Sequence, residues 1–230
     1  MKSLRRLGLA AGAVLMLSTP LQAADIVIGI RSEPSSIDPY FHNLGPNNAM
    51  LGQIFDRLND WTPKMDKMFG RAAKSWKAIN ETTWEYKLHK GIKFHDGSDL
   101  TADDVIYSFL RIIDPSTASS GKYVFQNIDR SELSKFRGMV KVDDFTIKIF
   151  LKEPQPSFIF QLSLPFCSIV PSEIIEKYGL DFGQHPVGTG PFMFKSWKPE
   201  IKLVMVKNKN YFERDEDGVR LPYLDAVSVS

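Results

Sequence analysis

The hydrophobic pattern changes period several times along this chain, and each change marks an element. DIVIGI, residues 25–30, alternates apolar positions rich in β-branched side chains, which predicts a strand. Pro34 and Pro39 interrupt regular structure in the segment after it. Beyond the turn signal Gly45-Pro46-Asn47, residues Met50, Leu51, Ile54, Phe55 and Leu58 fall at spacings of one, three and four. That is one face of a helix, predicted to run to Leu58 with Asn47 or Asn48 as its cap. Period two returns at WEYKLH, with Trp84, Tyr86 and Leu88 on one side. Lys90-Gly91 then turns the chain into a second strand at IKF.

KFHDGSDLTADDV, residues 93–105, crowds one histidine and four aspartates into thirteen positions. A metal site or an acid–base pair is one reading. The local pattern offers another. Asp96-Gly97 is a tight-turn dipeptide, because glycine takes positive φ readily. Thr101 and Asp104 form a T-x-x-D capping box that opens a helix with Val105, Ile106, Phe109, Leu110 and Ile113 on its buried face. Asp103 and Asp104 suit the positive end of that helix, and Asp114-Pro115 stops it. His95 is left as a hydrogen-bonded structural residue beside a turn. His42, His89 and His185 are scattered, and none stands at a metal-ligand spacing from it.

Further on, GMVKVDDFTIKIFL reads as a hairpin turning at Asp143-Asp144. PSEIIEKYG reads as a short helix capped by Ser172 and ended by Gly179. PFMFKSWKPEIKLVMVKNKNYF reads as a second hairpin turning near Pro199-Glu200. VGTGPF, with Gly188, Thr189, Gly190 and Pro191, only superficially matches a phosphate loop. It lacks the Gly-Lys-Ser/Thr that opens a helix, and Phe192 and Phe194 open a strand instead. Strands and helices mixed in this way predict a mixed α/β (α+β) fold.

Composition changes that picture at one end. The chain has 230 residues, 43% hydrophobic, which suits a globular domain. The first 23 residues stand apart: Lys2, Arg5 and Arg6, an apolar run from Leu7 to Leu17, then Pro20 and a small residue at Ala23. This is a secretory leader, with cleavage expected after Ala23. Removing its three cations from the 29 leaves 26 against 27 acids, a net charge of −1. Nucleic acid is therefore not an expected partner. Cys167 is the one cysteine, and its apolar surroundings in LPFCSIVP predict a buried, inert thiol. No Gly-x-Ser-x-Gly elbow is present. The one hydrolytic reading would use His95 with Asp96.

Three segments, in order, resemble one family. WEYKLHKGIKFHDGSDLTADDVIYSFLRIIDP resembles the signature of the family 5 solute-binding proteins of ABC importers. HPVGTGPFMFKSW with KNKNYF resembles its second hallmark, and IGIRSEPSSIDPYF its first strand and following turn. The segment WTPKMDKMFGRAAKSW departs from the family pattern, keeping only Trp76.

The resemblance implies the first, incomplete lobe of a periplasmic-binding-protein-like fold over residues 24–230, with a mixed sheet and an inserted subdomain at about 45–180. It also implies a second lobe that these residues do not include, since family members are much longer. Binding rather than catalysis is implied, with no cofactor and no resident metal. The implied partners are a peptide or similar small solute and the permease subunits of the inner membrane, in the periplasm. The implied ligand contacts in this lobe are Ser32, Glu33, Asn43, Gly45, Asn47 and Asn48. A nickel or metal–chelate receptor of the same family is the alternative ligand class.

Overall fold

The computed structural model describes residues 24–30, 34, 36–41, 44–130 and 138–230. The leader, Ser32, Glu33 and Asn43 lie outside the described residues. In chain order the elements are β1 (Asp25–Ile28), α1 (Gly45–Ile54), β2 (Asn59–Trp61), β3 (Met68–Gly70), β4 (Ala73–Asn80) and β5 (Thr83–Leu88). Next come α2 (Ala102–Ile113), β6 (Met139–Asp143), β7 (Thr146–Phe150), α3 (Phe158–Gln161) and α4 (Ser172–Tyr178). The series ends with β8 (Phe192–Lys198), β9 (Lys202–Lys207) and β10 (Ala226–Val229).

Two four-stranded sheets organise the chain. One has the order β1-β10-β9-β8 and is mixed: β1 runs parallel to β10, and the other neighbours are antiparallel. The second, β4-β5-β7-β6, is wholly antiparallel. β2 and β3 make a small separate hairpin. Of the four outer strands, β4, β6 and β8 each carry a register shift and at least one lysine. Both features discourage stray pairing at a sheet edge. β1 carries neither, and it exposes Ile26, Val27 and Ile28.

The amphipathic α2 forms as its pattern predicts. Val105, Phe109 and Ile112 are completely buried, and the helix packs along β6. Burying each such side chain contributes about 1.5–3 kcal/mol. Asp104 Oδ2 accepts hydrogen bonds from Thr101 N (2.9 Å) and Thr101 Oγ1 (3.1 Å), so the capping box is present. On the exposed side, Asp103 pairs with Lys141 of β6 at 2.6 Å.

Four expectations need correction. The first helix starts at Gly45 and stops at Ile54, not at Leu58. Its N-cap is Leu44, and Asn47 and Asn48 lie inside the helix rather than capping it, because Pro46 already occupies the first turn. IKF is not a strand: Phe94 N bonds Ser98 O across a tight turn, and β5 pairs instead with β4 and β7. Pro171, not Ser172, stands at the N-cap of α4; the Ser172 hydroxyl bonds Glu173. Gly179 does end that helix, at φ +55°.

Candidate functional site

The parallel pair sets the most suggestive end of the molecule. Ile30 N bonds Ser230 O and Ser230 N bonds Ile28 O, each at 3.0 Å, so β1 and β10 deliver their carboxyl ends side by side. In α/β sheets, ligands collect at the carboxyl ends of parallel strands. The β8–β9 hairpin tip arrives at the same end, because Leu203 pairs with Val229. A cavity of about 150 Å³ opens there, floored by Ile30, Met50, Trp197, Leu203 and Val229. Glu200 and Lys202 stand at its edge. The loop leaving β1 starts at this point and runs to the first turn of α1.

That first turn holds three of the expected contact residues. Gly45 is exposed, Asn48 partly buried and Asn47 almost fully buried. Among the described residues the Asn47 Oδ1 has no hydrogen-bond partner, an uncommon state for a buried amide oxygen. None of the residues in this turn is acidic. The hairpin tip with Trp197 and Lys202 was legible as a turn, but nothing in its spacing tied it to this end.

The histidine and the Gly-Thr-Gly segment meet in space and serve the frame. His95 Nδ1 accepts from Gly188 N–H at 3.3 Å, so Nε2 carries the proton and donates to Gly190 O at 3.0 Å. His95 N also bonds Gly188 O at 2.8 Å. Burial pushes the imidazole down to about 4, with its bond to Gly190 opposing the shift. Both ring nitrogens are engaged, which leaves His95 no lone pair for a metal or a substrate proton. Asp96 is occupied as well, accepting from Ser98 N and Oγ, and Gly97 turns at φ +95°. Asp99 pairs with Lys93 at 2.7 Å. Among the described residues, no group of three His, Cys, Asp or Glu side chains could hold a metal ion.

Gly188 and Gly190 are there for closeness. A Cβ on Gly188 would lie 2.1 Å from Ile54 O, and one on Gly190 2.6 Å from Gln53 O. Gly190 N takes the Ile54 carbonyl at 2.9 Å, and this contact ends α1 early. Thr189 Oγ1 donates to Asp56 Oδ2 at 2.9 Å inside a buried charge cluster. Arg71 reaches Tyr211 Oη (2.8 Å), Glu213 (3.2 Å), Asp60 (3.5 Å) and Asp56 (3.8 Å). Burial raises the Asp56 carboxyl to about 6, against the pull of Arg71. Pro191 leads directly into β8. Cys167 is fully buried, and burial pushes its thiol up.

A second buried ion pair escaped sequence reasoning. Arg111 of α2 forks onto Asp38, in the turn after β1, with side-chain exposures of 9% and 0%. The signal was present: FLRII places a lone cation within an apolar helical run.

Comparison with known proteins places this frame. The chain is 32% identical over 227 residues to the glutathione-binding protein GsiB of Pectobacterium atrosepticum, covering 97% of this chain and 41% of that protein. The corresponding protein of Escherichia coli O157:H7 is 30% identical over 99% of this chain and 42% of its own length. The chain thus spans about two fifths of the curated relatives it matches. Among solved structures, a periplasmic oligopeptide-binding protein of Borrelia burgdorferi superposes with a TM-score of 0.80 at 28% identity, over 90% of this chain and 42% of that one. The murein tripeptide binding protein MppA of Escherichia coli gives 0.78 at 25% identity, over 90% and 42%. These relatives are solute-binding proteins, and the mixed α/β frame is periplasmic-binding-protein-like. Residues 67–230 match the model of the bacterial extracellular solute-binding proteins, family 5 (middle), and the chain belongs to that family.

Proposed function

We propose that this chain is the ligand-capturing component of an ABC importer and takes short peptides such as glutathione or a tripeptide. The observation that carries the reading is the placement at the carboxyl end of β1 and β10. There a cavity is lined in part by Met50 of α1, the helix whose first turn carries no acidic residue and whose Asn47 Oδ1 has no hydrogen-bond partner among the described residues. A peptide offers complementary groups: a carboxylate for the helix end, main-chain amides for Asn47 and a side chain for the cavity. Glutathione, the ligand for which the two GsiB relatives are named, has that chemistry. Ser32, Glu33, Asn43, Gly45, Asn47 and Asn48 are the proposed contacts, and residues 24–230 are proposed as part of the first lobe of a two-lobed clamp, with a subdomain at about 45–180. The permease of the importer is the proposed partner.

Calorimetry of the protein with both lobes of the clamp present, against glutathione, tri-alanine and nickel–histidine, tests the reading, with Trp197 as a fluorescent reporter at the cavity. Saturable binding of either peptide is expected. Binding of nickel–histidine alone would move the protein to the metal–chelate class, and silence with all three would refute capture of these solutes. Export is proposed from the leader, and mass spectrometry of the exported protein should find Ala24 at its amino terminus. Full-length protein retained in the membrane would exclude that processing.

A further inference from the structure

The cavity at the end of the mixed sheet is built by a single row of side chains. Trp197 of β8 stands opposite Leu203 of β9, and Leu203 stands opposite Val229 of β10. Paired positions in a sheet share a face, so three strands project one apolar side chain each to the same side. Met50 of α1 and Ile30, just beyond β1, complete the floor of a space of about 150 Å³. Leu203, Val229 and Met50 are almost fully buried, so the floor is held by the core. Glu200 and Lys202 put one charge of each sign at the edge, which favours neither an anion nor a cation. The apolar floor would strip water from an ionised group and return no partner for it.

We infer that this cavity is a side-chain subsite, selecting at one position of a bound peptide an apolar side chain no larger than a phenyl ring. The inference rests on the reading of this end as the place of peptide capture, and it draws on none of the proposed contact residues. An apolar cavity of this volume takes up benzene. The side chains of leucine and phenylalanine therefore fit, and an indole does not. Without a limit on volume the hydrophobic gain grows with the area buried, which would place tryptophan first. A limit set by the walls reverses that order, and the reversal is the signature of the subsite. Alanine leaves most of the cavity unfilled, so tri-alanine is a weak ligand against which the gain can be read.

The test is calorimetry of the protein with both lobes of the clamp present, against tri-alanine and the three tripeptides that carry leucine at the first, second or third position. Phenylalanine, tryptophan and glutamate then replace leucine at the position that responds. Leucine at one position is expected to tighten binding about ten-fold or more over tri-alanine, and at the other two much less. Phenylalanine should match leucine, and tryptophan and glutamate should bind no tighter than alanine. Trp197→Ala removes one wall and should make the tryptophan peptide bind more tightly than the leucine peptide. Should that variant fail to fold, the wild-type series decides alone. Equal gains at all three positions, or none at any, would show that the cavity does not select a side chain. Tryptophan binding tightest to the wild type would show that its volume sets no limit. Either result overturns the inference and leaves peptide capture standing. Failure of every tripeptide to bind would refute peptide capture itself, and the inference with it.

Discussion

A buried carboxyl and a partly buried imidazole, both bonded to the Gly-Thr-Gly segment, should pull the pH dependence of stability in opposite directions. Asp56 is 2% exposed and its carboxyl is raised from 3.8 to about 6. A raised folded value means that the native state binds this proton more tightly than the unfolded chain does. The stability it contributes is fully present below about pH 3.8 and is lost as pH rises through about 6. His95 is the mirror case, lowered from 6.5 to about 4. Its contribution is fully present above about pH 6.5 and is lost as pH falls through about 4. At 1.36 kcal/mol per unit, each is worth about 3 kcal/mol over nearly the same window. The wild type should therefore show little slope from this pair between about pH 7 and 4.5, and single variants should unmask it. Asp56→Asn keeps an acceptor for Thr189 and should leave a protein that weakens on acidification. His95→Gln should leave one that strengthens, or weakens less than wild type. Urea unfolding at the two pH values, read by tryptophan fluorescence, measures the slopes, and groups common to all three proteins cancel. Three coincident slopes would refute the reasoning.

Single contacts give further expectations. Gly188→Ala places a methyl group 2.1 Å from the Ile54 carbonyl, a backbone atom that cannot swing aside. Overpacking of this kind costs about 1–3 kcal/mol or more, read as a lower urea midpoint. Thr101→Ala removes one arm of the capping box and should cost about 1 kcal/mol by the same measurement. Zinc or nickel should give no thermal shift that depends on His95, because both of its ring nitrogens are engaged; a shift abolished by His95→Gln would contradict that geometry.

Much of the frame could be read along the chain because local physics dictates it. The Asp96-Gly97 turn, the Thr101–Asp104 box, the amphipathic α2 and the hairpins around Asp143-Asp144 and Pro199-Glu200 all rest on neighbours in sequence. The features that could not be read depend on distant partners. α1 ends at Ile54 because Gly190 takes its carbonyl, a contact across more than a hundred positions. β4 went unseen because only Ala73 among its residues is buried, so KSWKAIN shows no alternation of apolar and polar residues to give it away. His95 was legible as structural, but its double bond to Gly188 and Gly190 was not. Of the candidate site, Asn47 and Asn48 came in through the family resemblance, since composition and spacing alone suggested only a helix cap there. The cavity beside Trp197 and the hold of Arg111 on Asp38 required the sheets to be assembled first.

The pairing of β1 with β10 also sets an order in time. Asp25 meets Ala226, so the first strand must wait for a partner about two hundred positions later. The antiparallel sheet from β4 to β7 closes within residues 73–150 and can be complete well before then. Contacts of long sequence separation form late, since the loop must close before they gain anything. A chain emerging from its amino terminus would therefore carry β1, with Ile26, Val27 and Ile28, without its partner strand until residues 226–229 follow. During that interval a chaperone that covered β1 would prevent its pairing with other unfinished chains.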